Sequence, residues 1–253
     1  MTRVFTSTEL WRAARGGAGF QGVTVGFVPT MGALHGGHLA LLDRARAEND
    51  HVVLSVFVNP TQFDNPDDLA RYPVNLEADV ALAGGRADSV LAPSAADLYP
   101  DGYNYRVSER SLAARWEGEH RPGHFDGVLT VVLKLLNLVR PHRAYFGEKD
   151  WQQLRLVQGM ARAFFLEAEM IACPIVRDRD GLALSSRNAR LSPAGRSLAR
   201  HFPRILREAP DPAAAAAGLR EAGLAVDYVD EAEGVRLGAV RVEGVRLIDN
   251  VRR

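Results

Sequence analysis

Short apolar segments alternate with amphipathic segments along the first two thirds of this 253-residue chain, and this alternation is its most constraining feature. Apolar and β-rich composition predicts five strands, at 23–28, 51–58, 89–92, 143–146 and 168–176. Helical periodicity predicts helices between them, around 39–45 and at 75–83, 127–139 and 150–164. Segment 51–58 is mostly Val, Leu and Phe, which is typical of a parallel strand buried on both faces. We therefore predict an α/β fold with a doubly wound parallel sheet.

The pattern changes after residue 176. A polar loop at 178–188 precedes helix-like segments at 192–207 and 211–221, and two short β-like segments follow, at 225–229 and 240–248. We predict two domains, spanning residues 1–176 and 177–253, of which the second is a small α+β domain.

Charge and composition exclude several classes of protein. The chain has 31 Lys and Arg residues and 31 Asp and Glu residues, whereas nucleic-acid binders usually carry a basic surplus, so we expect no nucleic-acid partner. Cys173 is the only cysteine, which rules out a disulfide framework and multi-cysteine metal sites. The first 19 residues lack the apolar core of a signal peptide, and the longest apolar run, 128–139, is too short to cross a bilayer. We expect a soluble, cytoplasmic protein without a membrane partner.

Polar residues of unusual type follow the predicted strands, where an open parallel sheet binds its ligands. The first cluster, at 29–38, places His35 and His38 around two glycines at the start of a helix. A helix N-terminus favours phosphate, and imidazoles can donate hydrogen bonds to oxygens as charge develops on them. A metal site is the competing interpretation, but no third ligand lies nearby in the sequence. We therefore favour phosphate chemistry.

Three further clusters have weaker signals. Asn59 and Gln62 follow the second strand, and their amides can bind hydroxyl and carboxylate groups, although the segment alone is typical of a turn. Lys149, one of only two lysines, lies four residues before Gln153, a spacing that puts both on one helical face. We expect its compact charge to contact phosphate, against the alternative of a surface ion pair. The loop at 178–188 carries hydroxyls and an arginine that suit a triphosphate, against the alternative of a solvated linker.

Together these clusters resemble the pantoate–β-alanine ligase (pantothenate synthetase) family. The matching motifs occur in the family's order, at 29–38, 58–63, 121–125, 146–153 and 184–188. The H-x-G-H element alone is shared with class I aminoacyl-tRNA synthetases and other nucleotidyltransferases, whereas the whole set is far more specific. The resemblance implies a Rossmann-like fold of the HxGH nucleotidyltransferase type, a C-terminal lid domain and a homodimer.

The resemblance also implies a reaction. Pantoate, ATP and Mg²⁺ would give pantoyl adenylate and pyrophosphate, and the amine of β-alanine would then release pantothenate and AMP. His38 matches the family's proton donor, while His35 and Lys149 would stabilise charge on the phosphates. Gln62 and Gln153 match the family's pantoate-holding glutamines, and Gln62 also matches its β-alanine contact. Asn59 and Arg121 resemble the family's supporting residues. The positions that match the ATP-binding segments are Met31, Gly32, Ala33, Leu34, His35, Gly36, Gly37, His38, Gly147, Glu148, Lys149, Asp150, Val176, Leu184, Ser185, Ser186 and Arg187.

The chain departs from the family pattern at three places. Two functions other than this ligation also stay open. Leu184 replaces the usual Met, Trp151 replaces the commoner Tyr, and the C-terminal domain looks shortened between residues 229 and 246. The first alternative is a related nucleotidyltransferase that transfers AMP to a phosphorylated metabolite, which the neutral Gln62 and Gln153 disfavour. The second is a nucleotide-binding regulator without turnover, which would bind ATP but not exchange pyrophosphate.

Overall fold

Six parallel strands form the first sheet of the structure, a computed structural model that describes residues 2–64 and 66–253. The strands are β1 (Arg3–Phe5), β2 (Val25–Thr30), β3 (His51–Val56), β4 (Ser89–Leu91), β5 (Arg143–Gly147) and β6 (Glu169–Cys173). Their order across the sheet is β1-β4-β3-β2-β5-β6, and each adjacent pair is parallel. The predicted parallel sheet is confirmed, with β1 as a short edge strand that the sequence analysis missed.

Eleven α-helices accompany the strands in the described part of the chain. They are α1 (Thr8–Arg15), α2 (Gly36–Glu48), α3 (Pro66–Ala70), α4 (Leu76–Ala83), α5 (Ala95–Leu98), α6 (Glu117–His120), α7 (His124–Val139), α8 (Trp151–Ala163), α9 (Pro193–Ala199), α10 (His201–Glu208) and α11 (Pro212–Glu221). No helix in the described ranges is both long enough and apolar enough to cross a membrane.

Consecutive residues of the central strands enter two different hydrophobic cores. Phe27 and Val53 pack in one core with residues of α7, whereas Val28 and Leu54 pack in the other with residues of α2. Both faces of the sheet are therefore covered by helices. This double coverage explains why the central strands are mostly apolar and do not alternate regularly with polar residues.

The strand order reverses between β2 and β5. From this pair the sheet grows through β3 and β4 on one side and through β6 on the other. Ligands of open α/β sheets bind beyond the carboxyl ends of the strands at such a reversal. The chain segments that follow Thr30 and Gly147 leave the sheet at this point, and both are segments in which the sequence predicts phosphate-binding residues.

Residues 174–253, together with the short segments 35–37 and 148–151, form a second compact unit. Its antiparallel sheet contains β7 (Ala225–Ala232), β8 (Val235–Val242) and β9 (Val245–Arg252), in that order. Phe202 and Leu206 of α10 and Leu219 of α11 are fully buried in the core of this unit.

The predicted strands of the C-terminal segment were wrong in number. The single strand predicted at 240–248 is two strands, β8 and β9, joined by a tight turn at Glu243 and Gly244. Both turn residues have positive φ, of 51° and 76°, as do Glu233 and Gly234 in the preceding hairpin. Two-residue hairpins are usually marked by Asn-Gly or Asp-Gly, and Glu-Gly is a weaker signal.

Candidate active site

Side-chain oxygens fix the shape of the loop after β2 by accepting hydrogen bonds from its backbone N–H groups. The N–H of Gly32 donates to the Thr30 hydroxyl at 3.1 Å. The N–H groups of Ala33 and Leu34 donate to the two carboxylate oxygens of Asp79, at 3.0 and 2.8 Å. Asp79 lies in α4 and is buried, and the sequence analysis did not single it out. These three N–H groups are therefore already occupied, so phosphate at this loop must be bound through other atoms.

The same loop has a backbone conformation that only certain residues accept. Gly32 has a φ of +82° and Ala33 a φ of +50°, both in the left-handed region. A Cβ on Gly32 would lie 2.7 Å from Asp79 Oδ2 and 3.0 Å from Val56 Cγ1. Glycine is thus required at position 32 by both conformation and space.

His35 is held as a neutral ring by its own loop. Its Nδ1 accepts the N–H of Gly37 at 3.1 Å, so the proton of the neutral imidazole is on Nε2. Burial, followed by the nearby charge of Lys149, lowers the pKa of His35, while Asp150 acts in the opposite direction. At neutral pH the ring is therefore neutral, with its proton on Nε2.

Leu184 packs directly against the two glycines of the histidine loop. A Cβ on Gly36 would lie 3.1 Å from Leu184 Cδ1, and a Cβ on Gly37 would lie 3.9 Å from Leu184 Cβ. The N–H of Leu184 donates to the carbonyl of Val176 at 2.9 Å. The structure thus brings together predicted ATP-binding residues from three separate segments of the second unit.

Lys149 lies in a 3-10 turn, Glu148–Asp150, ahead of α8. Because α8 begins at Trp151, Lys149 lies in the turn that leads directly into the helix, whereas Gln153 lies inside the helix. The ammonium of Lys149 forms no hydrogen bond or ion pair within the part of the chain that the structure describes. The carbonyls of Glu148 and Lys149 accept hydrogen bonds from Asn250 in β9, a residue for which the sequence carried no functional signal.

The loop that contains Arg187 begins with a capped turn. The Ser185 hydroxyl accepts the N–H of Arg187 at 3.2 Å and caps the 3-10 helix Ser186–Arg190. The Arg187 guanidinium has no ion-pair partner among the described residues. Its charge is therefore available for an anion.

Asn59 orients the amide of Gln62 in the first unit. Its Nδ2 donates to Gln62 Oε1 at 2.9 Å and to the carbonyl of Gly127 at 3.2 Å, while its Oδ1 accepts the Tyr99 hydroxyl at 2.7 Å. Burial raises the pKa of Tyr99 to about 12, so this hydroxyl remains a donor. Since the oxygen of the Gln62 amide is already bonded, Gln62 offers its Nε2–H groups, which suit carboxylate or hydroxyl oxygens.

Arg121 and His124 hold the backbone of Gln62. Its carbonyl accepts from Arg121 Nη2 at 3.0 Å and from His124 Nδ1 at 2.9 Å. Arg121 Nη1 also donates to His124 Nε2 at 3.1 Å. This supports the prediction that Arg121 assists the site, and it adds His124, which the sequence analysis did not identify. Gln62 and His124 line an open cleft of about 180 Å³ together with Tyr103 and Arg106.

His38 and Gln153 lie in the first turns of α2 and α8, and both are partly buried. Gln153 makes no side-chain hydrogen bond with the described residues. Its neighbour Gln152 is different, because it is buried and its Nε2 donates to the carbonyls of Leu112 and Arg115, both at 2.8 Å. Of the two glutamines, only Gln153 has an amide that a substrate could use.

Comparison with known proteins decides the family. The family model described as pantoate-beta-alanine ligase matches residues 3–252. The chain belongs to the pantoate–β-alanine ligase family. The resemblance inferred from the motifs is thereby confirmed, and membership makes the chain a carbon–nitrogen ligase that forms an amide bond with ATP.

Relatives of the ligase match it from end to end. Pantothenate synthetase of Bdellovibrio bacteriovorus is 50% identical, over 99% of this chain and 99% of the relative. Among solved structures, a pantoate-beta-alanine ligase from Francisella tularensis, complexed with beta-gamma ATP and beta-alanine, superposes with a TM-score of 0.94 at 38% identity, covering 100% and 98% of the two chains. The pantothenate synthetase of Thermus thermophilus gives 0.89 at 44% identity, covering 99% of each. These relatives therefore share the short C-terminal domain that the sequence suggested.

Proposed function

We propose that the chain condenses pantoate with β-alanine in two half-reactions. A carboxylate oxygen of pantoate attacks the α-phosphorus of ATP, the bond from that phosphorus to the bridging oxygen breaks, and pyrophosphate leaves. The amine of β-alanine then attacks the acyl carbon of pantoyl adenylate. The C–O bond to AMP breaks, the amine loses a proton, and pantothenate and AMP are released.

The proposal is carried by one observation: His35 and Lys149 both lie in the second unit, where the Lys149 charge helps to lower the pKa of His35 and the His35 Nδ1 is bonded to the N–H of Gly37. Negative charge grows on the phosphate oxygens as pyrophosphate leaves, so fixed donors act most strongly in the transition state. Lys149 supplies a point charge, and His35 supplies a directed hydrogen bond. His38, at the start of α2, is assigned as the proton donor.

The remaining predicted residues are assigned by segment. ATP is bound by the loop at 31–38, by 147–150, and by Val176 with 184–187. Pantoate is held by Gln62 and Gln153, and β-alanine also contacts Gln62. In support of these assignments, Gln62 is oriented to donate and the amide of Gln153 is uncommitted.

Mg²⁺ is proposed to enter with ATP as part of the substrate. The described residues contain no group of three or more His, Cys, Asp or Glu side chains able to hold a metal ion. Mg²⁺ keeps several waters and is commonly held by substrate phosphates with few protein ligands. The ligase is further proposed to work in the cytoplasm, where ATP is supplied, and as a homodimer.

Exchange of labelled pyrophosphate into ATP, with pantoate present and β-alanine absent, tests the first half-reaction. We expect His38→Ala and Lys149→Met to lower the exchange rate by about 10²-fold, the scale for loss of a preorganised charge stabiliser. Lys134→Met is the matched control, since Lys134 is the other lysine and, from α7, pairs with Asp101. The control should retain its rate.

Two results would contradict the proposal. Absence of exchange in folded wild-type protein would exclude the adenylate route. Wild-type rates in both His38→Ala and Lys149→Met would remove the residue roles while leaving the overall reaction intact. Mass spectrometry of the full reaction should show pantothenate and AMP, which distinguishes a ligase from a transferase that leaves AMP on its product.

A further inference from the structure

The backbone of the turn that carries Lys149 is bonded to Asn250, a residue of the strand β9. Asn250 in β9 is buried, and its Nδ2 donates to the carbonyls of Glu148 and Lys149, at 2.8 and 3.0 Å. One amide group thus binds two consecutive carbonyls of the 3-10 turn. This contact fixes the backbone from which the Lys149 side chain extends.

Asn250 is itself held in place by its neighbours. Its N–H donates to Asp249 Oδ1 at 2.8 Å, and its carbonyl accepts from Arg177 Nη2 at 3.1 Å. Arg177 also binds both carboxylate oxygens of Asp249, at 2.6 and 2.9 Å, and Asp249 is almost completely buried. A bidentate pair of this kind is directional and rigid. The backbone of Asn250 is therefore held in place by Asp249 and Arg177.

We propose that Asn250 is a positioning residue, which places the Lys149 ammonium for phosphate binding by holding the backbone of residues 148 and 149. The inference rests on the proposed role of Lys149 and extends it to a residue about 100 positions away in the sequence. In this role Asn250 acts through the backbone that carries Lys149.

The chemistry of an amide suits this task. Two carbonyl oxygens need donors, and an amide supplies both without adding a charge. An Asp side chain of the same size would direct oxygen at oxygen. An Ala side chain would leave both carbonyls without this donor, and the turn could relax away from its present position.

The test uses Asn250→Ala and Asn250→Asp in the full-length ligase. We expect each to lower pantoate-dependent pyrophosphate exchange by about 10- to 100-fold, the loss expected when a reacting group shifts by about 1 Å. Arg252→Ala is the matched control, because Arg252 lies two residues along β9 and its side chain bonds the Glu148 side chain, at 2.9 Å, and not the backbone of the turn. It should exchange at close to the wild-type rate.

A double-mutant cycle separates positioning from general structure. If Asn250 acts through Lys149, then Asn250→Ala should change the rate less than about 2-fold in a Lys149→Met background. Full additivity of the two losses would overturn the proposal. If Lys149→Met alone has no effect, the proposed function of Lys149 fails first, so the two failures are distinguishable.

The titration of His35 gives a readout that does not depend on activity. The Lys149 charge lowers the pKa of His35, with burial as the larger cause and Asp150 opposing. Displacement of Lys149 in Asn250→Ala should raise the pKa of His35 in the direction that Lys149→Met does, as followed by NMR. An unchanged His35 titration in folded Asn250→Ala would overturn the proposal. Unfolding of both Asn250 variants at the assay temperature would also overturn it, because Asn250 would then be a residue of general stability.

Discussion

Asp79→Ala is the substitution whose consequence the structure defines most sharply. Asp79 is the only acceptor that the structure shows for the N–H groups of Ala33 and Leu34 within the described residues, at 3.0 and 2.8 Å. Those two bonds close a loop in which Gly32 and Ala33 both have positive φ. Removal of the carboxylate takes away both bonds at once and leaves the loop conformation unsupported.

The expected loss of stability follows from these contacts. A donor that loses its partner in a buried setting costs about 1–3 kcal/mol, which gives about 2–6 kcal/mol for two. Ala33 and Leu34 are only partly buried, so water can replace part of the lost bonding. Ala33 can also relax from a conformation that costs about 1–2 kcal/mol. We therefore expect a loss of about 2–3 kcal/mol in the free energy of unfolding.

Urea unfolding and pyrophosphate exchange measure the two consequences of Asp79→Ala. The midpoint should fall with little change in slope, and exchange should fall because the loop ahead of His35 loses its fixed shape. Glu77→Ala is the matched control, since Glu77 lies in the first turn of the same helix and is not buried, and its effect should stay within about 0.5 kcal/mol. A loss below about 1 kcal/mol for Asp79→Ala, with normal exchange, would show that the loop does not need the carboxylate.

Two further predictions concern the titration of His35 and the packing beneath Gln62. Lys149→Met removes a cation that lowers the pKa of His35, so NMR titration should show the pKa of His35 rising toward 6.5. As the pH falls, His35 would then lose its neutral form at a higher pH than in the wild type. An unchanged pKa would contradict the electrostatic effect assigned to Lys149. A Cβ on Gly127 would collide with the Thr61 carbonyl, so Gly127→Ala should lower the free energy of unfolding by about 1–3 kcal/mol. It should also raise the KM for pantoate more than the KM for ATP. Gly159→Ala is the control and should change neither KM, because a Cβ there meets no neighbour within 4 Å.

The features that the sequence could predict are those with a local signal. Buried parallel strands are mostly apolar, so composition alone predicts β3. Three segments can be recognised because their residue types are unusual after a strand: the loop at 29–38 with its histidines, the turn at 148–150 with its lysine, and the loop at 178–188 with its hydroxyl groups. The strand ends are thus predictable, and with them most of the proposed contact residues.

The supporting residues could not be predicted because their signal is three-dimensional. Asp79 contacts a loop 45 residues earlier in the chain, and Asn250 contacts a turn 101 residues earlier. An aspartate in a helix or an asparagine in a strand has many uses, and only the fold shows which backbone groups it faces. His124 is a similar case, since its partner is the carbonyl of Gln62 and not a side chain with a recognisable motif.

Two of the supporting residues are buried asparagines, and their side chains carry no charge. Asn59 donates to the Gln62 amide oxygen and the Gly127 carbonyl, and Asn250 donates to the carbonyls of Glu148 and Lys149. A cation in either place would satisfy the oxygens, but it would also attract the anionic substrates away from the groups proposed to bind them. An anion would repel both the carbonyls and the substrates. An amide fixes the geometry without changing the local charge, so the charge at the site is left to the groups that are proposed to bind phosphate.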